Sequence, residues 1–295
     1  MKRTKKLAIL SDLHLDVNQF DTDTGAAYLS LLIQTLQDEK ITDLHLAGDM
    51  SNDFKTVTQP FLRRLSDAFE VSYNLGNHDM LGLTESEITE NDFVSRQIGE
   101  KKLLSFAGWY DYSFCPETTF EQNLRTKNTF WFDRKIKRDA DDLTVTNRVL
   151  TQLDRVLSEM TSSEIDRLIV AMHFVPNDHF LMTHPKFVRF NAFLGAQRFH
   201  DIFIKHGVKD VVFGHNHRSY DEVIDGVHYQ AKPLGYKREW HLINDYLAAF
   251  PKYGQYNSYN LHKRYNLLKK TAEFDSFLLT HFPEEVKKSL VIFEL

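Results

Sequence analysis

The sequence predicts an α/β fold, and three observations carry that prediction. Short apolar runs of strand length alternate with amphipathic stretches of helical spacing over the first two-thirds of the chain. Near the end of that region an alternating segment surrounds an Asp-Gly pair. The apolar runs also stop in a common way, at Asp, Asn or His residues.

The elements follow in order. LAILS (Leu7 to Ser11) has the composition of a buried strand, and AAYLSLLIQTLQDE (Ala26 to Glu39) places its apolar residues at helical spacing. DLHLAG (Asp43 to Gly48) is a second strand, FLRRLSDAF (Phe61 to Phe69) a second helix and VSYNL (Val71 to Leu75) a third strand. LIVAMHF (Leu168 to Phe174), the helical FLGAQRFHDIFIKHG (Phe193 to Gly207) and the strand DVVFG (Asp210 to Gly214) continue the alternation. SYDEVIDGVHYQA (Ser219 to Ala231) is a β-hairpin, because Asp225-Gly226 suits a type I′ turn, and it favours a mixed sheet over a purely parallel one. Residues 84–163 are less regular and are expected to form a cap-like insertion over one face of a domain spanning 1–235. Residues 236–295 are expected to be a helical appendage packed on the same domain.

Composition narrows the function. With 295 residues, 42% of them hydrophobic, the chain is long enough for one large α/β domain. A single cysteine, Cys115, excludes an internal disulfide framework and a cysteine-based zinc site, and it fits a reducing, cytoplasmic setting. The basic start MKRTKK precedes only a short apolar run, broken at Ser11 and Asp12, so it is not expected to act as a secretory signal. No window approaches the ~18 apolar residues of a membrane span. A net charge of −5 argues against general nucleic-acid binding. No feature of the sequence sets an oligomeric state.

The strand ends carry the chemistry. They read Ser11-Asp12-Leu13-His14, Gly48-Asp49 with Asn52 and Asp53 behind, Gly76-Asn77-His78-Asp79, Met172-His173 and Gly214-His215-Asn216-His217. Ligands of α/β sheets gather at the carboxyl ends of strands, so these residues should meet in space. Asp, Asn and His suit a borderline divalent metal such as manganese, iron or zinc. Gly48, Gly76 and Gly214 are expected to let the backbone turn sharply beside the metal. One histidine alone is usually structural, and His45, in mid-strand, is assigned so. Repetition at successive strand ends is what turn chemistry does not explain.

The ordered blocks SDLHL, AGDMSND, LGNHD, MHF and FGHNH resemble those of the calcineurin-like metallophosphoesterase superfamily, from Asp12 to His217. The resemblance implies a four-layer αββα sandwich of two mixed sheets, with two divalent metal ions (Mn, Fe or Zn) at the strand ends. It implies that Asp12, His14, Asp49 and His217 hold one metal, and that Asp49, Asn77, His173 and His215 hold the other, with Asp49 bridging. The usual spacing of the second block falls on Asn52, with Asp53 one residue further, and neither is implied to touch metal. His173 is preferred to His179 and His184, which fall in the following loop and could line the substrate pocket. A hydroxide bridging the metals would attack a phosphodiester or phosphomonoester, with His78 as general acid and Asp79 orienting that imidazole and raising its pKa.

The aromatic segments around Trp109, Tyr110, Trp131 and Phe132 are read first as packing and second as a cap over the substrate. Arg134, Lys135, Lys137 and Arg138 are read as a solvated face. The Tyr- and Lys-rich segment Lys252 to Lys270 is read as a packed helix in preference to a nucleic-acid contact. The expected substrate is a small phosphate ester. Competing readings are a nuclease of the double-strand-break repair type, a protein phosphatase, and a non-catalytic scaffold, which would have lost metal ligands.

Overall fold

The computed structural model describes residues 5–22 and 25–295, so the basic start at residues 1–4 lies outside it. The strands are β1 (Lys6–Leu10), β2 (Asp43–Ala47), β3 (Glu70–Asn74), β4 (Val94–Ile98), β5 (Lys101–Phe106), β6 (Leu168–Met172), β7 (Asp210–Val212), β8 (Tyr220–Ile224), β9 (Val227–Ala231) and β10 (Val291–Glu294). The α-helices are α1 (Ala26–Asp38), α2 (Gln59–Ser66), α3 (Glu85–Thr89), α4 (Phe120–Phe130), α5 (Asp142–Ser158), α6 (Ser162–Ile165), α7 (Arg198–His206), α8 (Leu242–Ala249), α9 (Leu261–Leu268) and α10 (Phe274–Lys288).

Two mixed sheets result. The first has the order β10-β1-β2-β3, and the second β4-β5-β6-β7-β9-β8. β1, β2 and β3 are parallel, with α1 and α2 as the crossovers that parallel neighbours require. β5, β6, β7 and β9 are also parallel, while β10, β4 and β8 pair antiparallel at the edges. Leu7, Ile9, Ala47 and Val291 of the first sheet meet Ile98, Leu103, Ile169, Ala171 and Val212 of the second in one buried cluster, so the sheets lie face to face. Alternate residues, such as Ala8, Leu10, Leu44 and Leu46, face the other way into the larger core shared with the helices. This is the expected sandwich with helices outside.

Local chemistry explains several boundaries. Asp141 caps α5 by accepting from the Thr144 amide, and Val145, Val149, Leu153 and Leu157 line its buried face at helical spacing. α7 starts later than its pattern suggested, after a short 3₁₀ segment (Val188–Phe193), and stops at Gly207 in the left-handed region. At the β8–β9 turn Asp225 and Gly226 have φ of 50° and 85°, as a type I′ turn needs.

Two segments are more integral than their patterns suggested. Residues 84–163 supply β4 and the sheet strand β5 as well as α3, α4, α5 and α6. The strands were obscured because VSRQI is half polar and KKLLSF opens on two lysines, as edge-proximal strands allow. Residues 236–295 are helical as far as Lys288 but then return as β10, which pairs with β1. Among the described residues no helix is long and apolar enough to cross a membrane.

His45 is structural, and its setting has a measurable consequence. Its ring lies wholly buried on β2, with Nδ1 2.9 Å from Ser72 Oγ and Nε2 2.9 Å from Asn74 Oδ1. Burial lowers its pKa from 6.5 to about 4. The unfolded chain therefore binds a proton at higher pH than the folded one. Stability should fall as pH drops from 6.5 toward 4 and level off below, by roughly 3 kcal/mol from this group. Urea unfolding of wild type and His45→Gln at pH 7 and pH 4.5 checks this: the variant should lose that part of the pH dependence.

Candidate metal centre

Asp12 and His14 follow β1, Asp49 follows β2, Asn77 and His78 follow β3, His173 follows β6, and His215 and His217 follow β7. The face-to-face sheets bring these ends together from both sides. Sharp turns are needed to aim so many side chains inward. Asp12, His14, Asp49, His215 and His217 have φ of 58°, 43°, 54°, 72° and 52°, all in the left-handed region that non-glycine residues avoid.

Of the three glycines, only Gly48 shows the expected positive φ, at 85°. Gly76 and Gly214 serve by lacking a side chain. A Cβ on Gly76 would strike the Asp49 carboxylate, and one on Gly214 would strike that of Asp12.

The side chains form two adjoining groups that could each hold a metal ion. Asp12, His14, Asp49 and His217 form one, and Asp49, His173 and His215 form the other, with ligand atoms within 4.8 Å of one another in each. Asp49 belongs to both: its Oδ1 lies 3.3 Å from His173 Nε2, and its Oδ2 lies 3.8 Å from His14 Nε2. Asn77 completes the second group, with its Oδ1 3.2 Å from His173 Nε2.

The hydrogen bonds behind the histidines fix their lone pairs. His173 Nδ1 donates to the Ala47 carbonyl at 3.1 Å, leaving Nε2 bare, and His215 Nε2 donates to the Phe193 carbonyl at 3.1 Å, leaving Nδ1 bare. Those bare nitrogens face each other at 3.2 Å. His217 Nδ1 donates to Glu239 Oε2 at 2.7 Å, and its Nε2 lies 3.0 Å from His14 Nε2. Opposed lone pairs repel unless a cation or a proton lies between them, so the donor set fits metal ions, and four imidazole nitrogens with the oxygens of Asp12, Asp49 and Asn77 are borderline-metal chemistry.

Electrostatics agree. Burial alone would raise the Asp49 carboxyl, but His173, His78 and His14 hold it well below the usual range. Burial would likewise raise Asp12, yet His217 brings it down to about 2. Burial would lower the two imidazoles, but the carboxylates push His173 up to about 9 and His217 up to about 10. Two buried anions thus demand compensating positive charge, from protons or from divalent ions.

Three supporting carboxylates carried no legible signal. Asp133, wholly buried in the short helical turn Phe132–Lys135, accepts from Asn77 Nδ2 at 2.7 Å and from Trp131 Nε1 at 3.0 Å, so the amide oxygen of Asn77 points into the site. Glu239 orients His217. Asp16 accepts from Asn52 Nδ2 at 2.7 Å, and Asn52 Oδ1 in turn lies 2.7 Å from His78 Nδ1. In sequence each is an isolated carboxylate with no fixed spacing to its partner.

The geometry corrects several expectations. Asp79 does not orient His78. Its carboxylate accepts from the amides of Met50, Ser51 and Gly76, which ties the loop after β2 to the loop after β3. Asn52 holds the imidazole instead, while Asp53 caps the next turn by accepting from the Thr56 amide. Burial lowers the pKa of His78; Asp79 does not raise it. His179 pairs with Glu222 at 2.7 Å and His184 accepts from the Lys186 amide, so neither joins the metal groups.

The aromatics divide. Trp109 and Tyr110 are wholly buried core. Phe132 stacks on His78 at 3.9 Å, and Trp131 meets the edge of His215 at 6.2 Å. Tyr236, unmarked in sequence, stacks on His14 at 4.3 Å. Arg138 is bound to Glu85 and is no solvated face.

Comparisons with known proteins agree with this geometry. The profile described as calcineurin-like phosphoesterase matches residues 5–219. An uncharacterised protein of Acanthamoeba polyphaga mimivirus is 25% identical over 270 residues, covering 81% of this chain and 94% of that one. The crystal structure of phosphopantetheinyl hydrolase from Mycobacterium tuberculosis superposes with a TM-score of 0.62 at 17% identity, covering 81% of this chain and 93% of that one, which is a likeness of fold. The match spans every one of the five strand-end blocks, and the chain belongs to the calcineurin-like phosphoesterase family.

Proposed function

We propose that the protein is a binuclear metallophosphoesterase that hydrolyses a small phosphomonoester or phosphodiester. The observation that carries this reading is the pair of ligand groups sharing Asp49, with imidazole nitrogens left bare between them. Asp12, His14, Asp49 and His217 would hold one ion, and Asp49, Asn77, His173 and His215 the other. When bound, the ions supply neutralisation of the phosphoryl charge and acidification of a water that can attack phosphorus.

The remaining steps belong to side chains. Asn52 fixes the His78 ring through Nδ1, so Nε2 faces the site, 3.9 Å from Asp49 Oδ2. His78 joins neither ligand group, so its Nε2 is free of metal-holding duty. A substrate anion beside it favours its charged form, and Nε2 can then give a proton to the leaving alkoxide. Phe132, stacked on the ring, and the buried setting keep water from competing for that proton.

The supporting carboxylates give a direct check. Asp133→Asn should weaken Mn²⁺ binding at the Asn77 side about 10–100-fold, because the amide of Asn77 is then free to turn. Isothermal titration with Mn²⁺ reads this, and an unchanged affinity would remove Asp133 from the site.

The reading as a whole is tested by stripping the protein of metal, refilling it with Mn²⁺, and assaying p-nitrophenyl phosphate and bis-p-nitrophenyl phosphate. Activity that returns with metal supports it, and the preferred ester separates phosphatase from phosphodiesterase. Failure to bind metal would sink it and favour a scaffold.

A further inference from the structure

A groove of about 240 Å³ lies beside the metal centre and shares a wall with it. Tyr236 is that wall, since it stacks on His14 and also lines the groove. Lys237, Arg238, His262 and Lys269 line the rest with Tyr265 and several amide side chains, and among the described residues no carboxylate lines it. This concentrates positive charge in a chain whose net charge is −5.

The groove is built in advance. Asn18 donates to the carbonyls of Leu13 and Gly235 and accepts from the Lys237 amide, which locks the loop after β1 to the segment before Lys237. The Lys237 ammonium lies over Tyr28 at 4.3 Å and Phe20 at 5.2 Å. Among the described residues no carboxylate lies within ion-pair distance of Lys237 or Lys269. Burial of Lys237 lowers its pKa to about 8, outweighing the opposite pull of the more distant Asp275. The Arg238 guanidinium is held over the Tyr236 ring at 3.9 Å, between groove and centre.

We infer that this groove receives a second anionic group of the substrate, a phosphate carried on the leaving group, while the scissile phosphoryl sits at the metal centre. The inference rests on the phosphoesterase reading for its place in catalysis, but the groove as an anion site stands on its own residues. It also gives the Tyr- and Lys-rich tail a role, since α9 and the residue after it bring His262, Tyr265 and Lys269 to the groove.

The test uses the full chain in two states. After chelation of divalent ions, inorganic pyrophosphate titrated in a calorimeter should bind saturably. Lys269→Ala and Lys237→Met, the latter keeping the packing on Tyr28, should each weaken that binding about tenfold, the scale of one charge-assisted contact. Reloaded with Mn²⁺, wild type should show a higher kcat/KM for an ester whose leaving group carries a second phosphate than for phenyl phosphate. The two variants should cut that preference by a similar factor. Pyrophosphate that does not bind, or binds equally to the variants, overturns the groove whatever the catalysis. A substrate preference unmoved by the variants overturns its link to the reaction. Groove binding without hydrolysis of any ester leaves the anion site standing and sinks the phosphoesterase reading.

Discussion

Asp49→Asn should lower phosphoesterase activity about 10³-fold or more, because it removes the one carboxylate common to both ligand groups, worth several kcal/mol at the reacting centre. The substitution preserves shape. An asparagine Oδ1 can still accept from the His78 amide, as Asp49 Oδ1 does at 2.8 Å. What changes is charge: one face of the side chain becomes an amide N–H₂, which points at the position a cation would take. Bound manganese, counted by elemental analysis after gel filtration, should fall with the activity. The metal-free variant should stay folded at the assay temperature but melt somewhat lower, since the carboxylate that His173, His78 and His14 hold ionised has been exchanged for a neutral amide. A variant that keeps both metal content and turnover would place the centre elsewhere; one that loses activity only by melting would show that Asp49 is structural.

His78→Ala is the second large effect, and it should depend on the leaving group. A general acid contributes about 10²–10⁴-fold where the leaving oxygen needs a proton. Phenyl phosphate should therefore suffer by that order, while p-nitrophenyl phosphate, whose leaving group departs unprotonated, should suffer far less. Metal content should stay intact, because the imidazole stacks on Phe132 and is bound to Asn52 without joining either ligand group. Asn52→Ala should reproduce the same leaving-group pattern at smaller size, since it only frees the ring to rotate. Equal losses on both esters would assign His78 to binding the phosphoryl group.

The centre was legible in sequence to the extent that strand ends advertise themselves. SDLHL, GNHD and GHNH each put a metal-type side chain where an apolar run stops, and the fold brings those stops together. The groups behind them were not legible. Asp133 reaches Asn77 from 56 residues away and Glu239 reaches His217 across the hairpin, through contacts that only the folded chain defines. Asp79 misled for a related reason. Adjacency to His78 suggested a partner, but in a tight turn neighbouring side chains diverge, and the carboxylate turns back to three amides. β4 and β5 were hidden because an edge strand and its neighbour carry charged residues that blur the alternation. β10 is four residues at the far end of a helical segment, too short for a pattern to declare itself.

The left-handed turns at Asp12, His14, Asp49, His215 and His217 have an evolutionary consequence. Each holds a side chain where glycine would rest more easily, at a cost of order 1–3 kcal/mol. Exchange to glycine at any of them relieves that backbone strain while destroying the chemistry of the centre. Once turnover is no longer selected, drift at these positions is therefore opposed by less than drift in the cores. Such descendants should lose their ligands first at these turns and only later in the cores of the sheets, so that the fold outlives the reaction it was built around.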